Sequence, residues 1–120
     1  MTTKTGELVW FDIPVNNFET AKSFYDELLN WKFEPMGDEY LMIKVGKDTI
    51  GGLRKEETPR KEMDMPVIYF AVDKLASAVT RAKKLGAHLV GERVDIPDDM
   101  GCFQLFRDKD KNLLGLWAQS

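Results

Sequence analysis

Few side chains of this sequence are suited to chemistry, and they are scattered. There is one histidine, His88, and one cysteine, Cys102. No Ser/His or Cys/His pair signals an activated nucleophile. His88 opens a strand after a helix, where a lone imidazole reads as a surface or half-buried residue. Cys102, beside Gly101, reads as a small apolar strand residue. Asp12 is the sharper candidate. It lies in the apolar run ELVWFDI (7–13), where a carboxylate bears a desolvation cost unless it is paired or wet. It is either exposed at the strand end or paired with Arg54. Facing a cavity, it would accept a hydrogen bond or serve as a base.

The elements that must position these residues come as a repeat. A strand over 7–13 is expected to end at Pro14. A helix then opens at Asn16 or Asn17 and closes at Asn30, a left-handed cap position. Phe18, Ala21, Phe24, Tyr25, Leu28 and Leu29 recur along it at helical spacing and make one apolar stripe. Short strands follow over 31–35, 40–45 and 49–54. The order then returns: a strand over 66–72, a helix over 75–85 before Gly86, and strands over 88–94, 102–107 and 113–118. Phe18 matches Leu75, Ala21 matches Ala78, and Leu28 matches Leu85. Each half is strand, helix, three strands. The expected organisation is a single domain over 1–120, with modules at about 6–54 and 65–120 and a charged linker at about 55–64.

Bulk composition narrows the function. The 120 residues carry a net charge of -3, which argues against nucleic acid as a partner. No apolar run approaches a membrane span. The first residues lack the apolar stretch of a secretion signal. A single cysteine excludes an intrachain disulfide and fits a reducing cytoplasm.

The repeated order resembles the glyoxalase/bleomycin-resistance/extradiol-dioxygenase superfamily, the vicinal oxygen chelate proteins. The segment from Val15 to Trp31, with Phe24-Tyr25 before Leu28-Leu29, looks like the family's first helix. Asp108-Lys109-Asp110-Lys111-Asn112 looks like its Asp-Pro-x-Gly-Asn turn, with Lys109 and Lys111 replacing Pro and Gly. The resemblance implies an α+β fold: two βαβββ modules forming a curved mixed sheet around a cavity, with helices on the convex side. Metal-dependent members take ligands from the first and last strand of each module. Those positions fall here on Trp10, Gly52, Val67 and Gly115, none of which is a metal ligand. No metal or other cofactor is therefore expected.

Alternation along the strands then predicts a lining. Leu8, Trp10 and Asp12 face the cavity, as do Ile50, Gly52 and Arg54, Val67 and Tyr69, and Gly115 and Trp117. Met42 and Gln104 join them if the phase of their strands allows. The candidate ligand-binding residues are thus Trp10, Asp12, Met42, Arg54, Tyr69, Gln104 and Trp117. An apolar lining with a few polar handles suits a small molecule, although Trp10 and Trp117 could equally fill the space themselves. The expected function is metal-independent binding of a small aromatic or amphipathic molecule, for sequestration, sensing or resistance. The alternative is an enzyme related to lactoylglutathione lyase, an isomerase or lyase of unknown substrate. A purely structural or interaction module ranks last. A homodimer is expected, because open sheets leave edges to be covered.

Overall fold

The computed structural model describes residues 3–56 and 65–120. It divides into two units, Trp10–Pro66 and Val67–Ser120, the latter joined by the residues up to Val9. The linker expected at 55–64 lies, from residue 57 onward, outside the described residues.

The Trp10–Pro66 unit is built on β1 (Leu8–Val15), α1 (Phe18–Leu29), β2 (Lys32–Pro35), β3 (Tyr40–Val45) and β4 (Asp48–Lys55). Its strands run in the order β2-β3-β4-β1, antiparallel except for the parallel β4–β1 pair. The Val67–Ser120 unit repeats the plan with β5 (Val67–Ala71), α2 (Leu75–Lys84), β6 (His88–Asp95), β7 (Cys102–Arg107) and β8 (Leu113–Ala118). Its order is β5-β8-β7-β6, and only β5–β8 is parallel. The chain is α+β, with mixed strand pairing and a βαβββ module twice. The residues before β1 belong to the second unit because Gly6 N donates to Ala71 O at 2.8 Å and Ala71 N donates to Glu7 O at 2.9 Å.

Helix α1 starts where the asparagines predict. Asn17 caps it, its side chain accepting from Thr20 N at 2.9 Å. Asn30 ends it with φ 59, in the left-handed region that Asn tolerates. That turn lays Trp31 against Tyr25, their ring centroids 5.0 Å apart. The rings join Phe11, Ile13, Phe18, Ala21 and Phe33 around buried Val15, Leu41, Ile43 and Leu53. One face of the β1–β4 sheet is therefore closed by Phe18, Ala21 and Tyr25 of α1, whereas Phe24, Leu28 and Leu29 of the expected stripe are exposed. In the other unit Leu75, Cys102 and Ala118 form the core, with Val72, Val79 and Leu116 packed on it. Cys102 is 1% exposed and free, and Sγ lies 3.5 Å from Ala118 O. It is a core residue.

Two expectations about strands need correction. Pro14 does not end β1. Residues Asp12 to Val15 pair with Gly52 to Lys55, and Val15 O accepts from Glu56 N at 2.8 Å. Proline lacks only a donor, so the ladder resumes beyond it. Ile50 does not share a face with Gly52 and Arg54. The β3–β4 register shifts between Ile43 and Lys44. That bulge turns Ile50 into the α1-facing core.

The turn before β8 is held by one carboxylate. Asp108 Oδ1 accepts from Asp110 N and Asn112 N, both at 2.9 Å, and Oδ2 accepts from Asn112 Nδ2 at 3.0 Å. Lys111, where the family turn has glycine, takes φ 69. The Asn112 side chain first, and its backbone N–H next, hold the Asp108 carboxyl below the usual range. A depressed carboxyl favours the folded state above its unfolded value of about 3.9, and loses that contribution as pH falls through the folded value. Asp108→Asn is therefore expected to lower the melting temperature at pH 7. The gap from the parent chain should narrow as the melts are taken toward pH 3. A gap constant with pH would contradict this account of the turn.

Candidate functional site

On the face of the β1–β4 sheet opposite α1, four of the seven predicted site residues come together. Asp12 and Gly52 are register partners, as are Gly52 and Met42, and Arg54 and Tyr40. Trp10 lies two residues before Asp12 on the same side of β1. Asp12 is only 8% exposed, yet it is well provided with donors. The Tyr40 hydroxyl donates to Asp12 Oδ1. Trp10 Nε1 donates to the Tyr40 hydroxyl at 2.7 Å. Arg54 Nη1 lies 3.8 Å from Asp12 Oδ2, while Arg54 Nε donates to Glu56 Oε1 at 2.6 Å. The site is thus a hydrogen-bonded chain, indole to phenol to carboxylate, with a guanidinium shared between two carboxylates.

Tyr40 and Glu56 escape the sequence reading. Tyr40 opens β3 two residues before Met42 and so shares its face; that spacing was the available signal. Tyr40 is held in place by the turn at Gly37 (φ 75). Its carbonyl accepts from Met36 N, and Lys55 N donates to Glu39 O, both at 2.9 Å. Glu56 lies just beyond β4, where no periodicity marks it.

The remaining three predicted residues lie in the other unit, and each has a local task. Tyr69, 5% exposed, is the register partner of Gly115 and meets Phe103 edge-on, with centroids 5.4 Å apart. Trp117 is on the same face as Gly115 and clasps the loop before β7. Its Nε1 donates to Met100 O at 2.9 Å. A Cβ on Gly101 would stand 2.8 Å from the indole. Gln104 lies on the opposite face. It pairs with Leu116, which packs in the α2-side core. Its Nε2 donates to Val90 O, Gly91 O and Leu105 O at 3.0–3.2 Å, fastening the irregular stretch of β6 between Val90 and Val94.

Two open hollows among the described residues lie elsewhere. One, of about 410 Å³, runs between α1 and β2 over Trp31 and Phe33. Its rim charges are already paired, Lys32 with Asp26 at 2.8 Å and Lys22 with Glu19 at 3.6 Å. The other, of about 370 Å³, lies by Leu85 and Phe106 at the end of α2. Neither offers convergent polar groups comparable to those around Asp12.

The residues at the family's metal positions do not fit a metal ion. Trp10 and Val67 offer no donor atoms suited to a divalent cation. Gly52 has no room for a ligand side chain: a Cβ there would lie 2.0 Å from the Tyr40 hydroxyl and Cζ. Gly115 is covered likewise, its Cβ position 2.3 Å from Tyr69 Cδ2. Among the described residues, no group of three or more His, Cys, Asp or Glu is placed to hold a metal. Tyr40 cannot swing away without breaking its bonds to Trp10 and Asp12. Gly52→Ala is accordingly expected to cost about 1–3 kcal/mol in denaturant unfolding. In a Tyr40→Ala background the same change should cost less than half as much. Equal costs in both backgrounds would show that the ring does not set the constraint.

The fold recurs among solved structures. A hypothetical protein from Bacillus halodurans superposes with a TM-score of 0.74 at 14% identity, over 98% of this chain and 96% of that one. The Mn(II)-bound glyoxalase from Novosphingobium aromaticivorans gives 0.71 at 16% identity, over 98% of this chain and 40% of that one. Methylmalonyl-CoA epimerase from Mycobacterium tuberculosis gives 0.67 at 17% identity, over 100% of this chain and 92% of that one. At such identities the likeness is one of fold. No curated protein matches the chain in sequence. The model of the Glyoxalase/Bleomycin resistance protein/Dioxygenase superfamily matches residues 7–116, and the chain belongs to that superfamily.

Proposed function

We propose that this protein binds a small aromatic or amphipathic molecule on the Trp10–Tyr40–Asp12 face, without a metal, for sequestration, sensing or resistance. The observation that carries the reading is the hydrogen-bonded chain from Trp10 through Tyr40 to Asp12. It fixes two flat rings beside a buried carboxylate, with Met42 and Arg54 on the same face. Flat apolar area with a few fixed polar groups is what small-molecule recognition uses. Rings locked by hydrogen bonds lose little freedom when a ligand stacks on them.

A second reading, an isomerase or lyase related to lactoylglutathione lyase, is favoured by one feature. Asp12 and the Tyr40 hydroxyl stand together as a carboxylate and a phenol able to pass a proton. The binding reading ranks above it because the residues at the metal positions do not fit an ion.

In this reading the protein resides in the cytoplasm, pairs with a second copy of itself and takes no part in crossing a membrane. Among the described residues no helix is long and apolar enough to cross one. Support for pairing comes from α1, where Phe24, Leu28 and Leu29 are 57%, 63% and 49% exposed. The matching positions of the repeat are Arg81, Leu85 and Gly86, of which Leu85 is also exposed. Large apolar side chains in one outward patch favour a covered surface. Light scattering is expected to give twice the chain mass of 13.8 kDa. Leu28→Glu should shift it toward a single chain; a parent chain that is monomeric at all concentrations would remove this part of the reading.

The binding reading is tested with a panel of aromatic and amphipathic compounds, followed by tryptophan emission and thermal shift. At least one compound should quench the parent chain and raise its melting temperature, and Trp10→Phe should abolish most of the quench. Methylglyoxal with glutathione, with Zn²⁺ or Ni²⁺ added, should give no turnover above the uncatalysed rate. Measurable turnover would replace the binding reading with the enzymatic one.

A further inference from the structure

We propose that α1 of one copy seats on the C-terminal half of α2 of a second copy. Phe24 and Leu28 enter the hollow beside the partner's Leu85, and Glu27 faces the partner's Arg81 and Lys84. This rests on the pairing with a second copy read above and adds the surface that receives α1.

The repeat sets the two helices in correspondence, so that Phe24, Glu27 and Leu28 match Arg81, Lys84 and Leu85. All of these side chains are exposed. Glu27 and Leu28 follow Phe24, and Lys84 and Leu85 follow Arg81, at the three- and four-residue spacings that share a helix face. Three features make the two faces complementary. The first is charge. Helix α1 carries Glu19, Asp26 and Glu27 against the single Lys22, whereas α2 carries Arg81, Lys83 and Lys84 and no acidic residue. Two α1 helices face to face would oppose Glu27 to its own copy; α1 on α2 opposes it to two cations. The second is shape. Phe24 and Leu28 protrude from α1, 57% and 63% exposed. Beside Leu85 the surface is hollow instead: about 370 Å³ is lined by Ala82, Leu85, Ala87 and Phe106, together with Asp108, Lys109 and Asp110 of the turn before β8. Apolar side chains entering that hollow leave water on both sides of the contact. The third is the helix dipole. Glu27 stands in the last turn of α1, which holds no basic residue, and there the dipole disfavours an anion. The last turn of α2 is basic, as the dipole favours. Cations brought by a second copy offset what α1 leaves unfavourable by itself. Used twice about a twofold axis, the contact gives a closed dimer.

Two charge-reversed forms of the full chain test the proposal: Glu27→Lys, and Arg81→Glu combined with Lys84→Glu. Pairing is read by sedimentation equilibrium over a range of concentrations. Each form alone sets like charges across the contact and is expected to weaken the dimer about tenfold. Mixing the two in equal amounts sets opposite charges across both contacts, and should bring the dissociation constant back to within about threefold of the parent chain's. That recovery also shows that both forms are folded. Leu85→Glu places a charge at the hollow and should shift the mass toward a single chain. If the parent chain pairs but Leu85→Glu and the α2 double variant pair as tightly as it does, α2 is not the receiving surface, and the pairing reading stands without it. Failure of the mixture to recover would likewise remove the facing of Glu27 to Arg81 and Lys84. A parent chain that is monomeric at all concentrations would overturn both the contact and the pairing.

Discussion

The constraint on which this site depends is a tyrosine ring lying on a bare strand. Tyr40 covers Gly52 so closely that a single added carbon would sit 2.0 Å from its hydroxyl. Glycine in a strand interior weakens pairing and leaves a gap; a ring laid over it restores buried area, a device known from designed sheets. Here the ring also delivers its O–H to Asp12 and receives the N–H of Trp10. The contact thus performs two tasks. It covers Gly52, where the resemblance to the superfamily would place a metal ligand, and it makes tenable a carboxylate on an otherwise apolar strand.

The second unit reaches the same end by a different strand. There the ring over the glycine belongs to Tyr69 on the first strand, which pairs rung for rung with Gly115. In the first unit it belongs to Tyr40 on the third strand, whose rung partner is Arg54, two residues along from Gly52. The Tyr69 ring packs edge-on against Phe103, whereas the Tyr40 ring lies within a polar chain. A duplicated framework has therefore kept its topology while its two glycine contacts diverged in chemistry. The polar one is the better candidate for recognition, because orientation-dependent partners surround it.

What was legible in the sequence was whatever depends on local order. The repeat, the caps at Asn17 and Asn30, and the alternation that places Trp10 with Asp12 all follow from spacing along a single element. What was not legible depends on how strands align. Ile50 sits at a register shift that no residue type announces. Gln104 differs from its neighbours only in phase, and that phase places it on the α2 side, where its amide fastens the irregular part of β6. Tyr40 comes to rest on Gly52 only once β3 and β4 are aligned. Pro14 misled because proline usually closes a strand; parallel pairing with β4 carried the ladder past it. Pairing of Asp12 with Arg54 was one of two alternatives left open, but the closer contact of Arg54 with Glu56 was not read, since Glu56 lies outside any element.

The arrangement also bears on the choice between binding and catalysis. Isomerisation through an enediolate builds negative charge on the substrate, and an enzyme must meet that charge with a metal or with fixed donors. At this face the donors are already directed at Asp12 and Glu56: the phenol O–H, the indole N–H through the phenol, and the guanidinium. To stabilise an oxyanion they would have to desert two carboxylates, one of them buried. A developing anion would also lie beside those two carboxylates. A ligand bound in its ground state asks for no such rearrangement. It joins a network whose donors stay where they are. On the proposed reading, binding is therefore the activity that disturbs this network least, and the Asp12–Tyr40 pair would pass a proton only for a substrate whose reaction builds no negative charge.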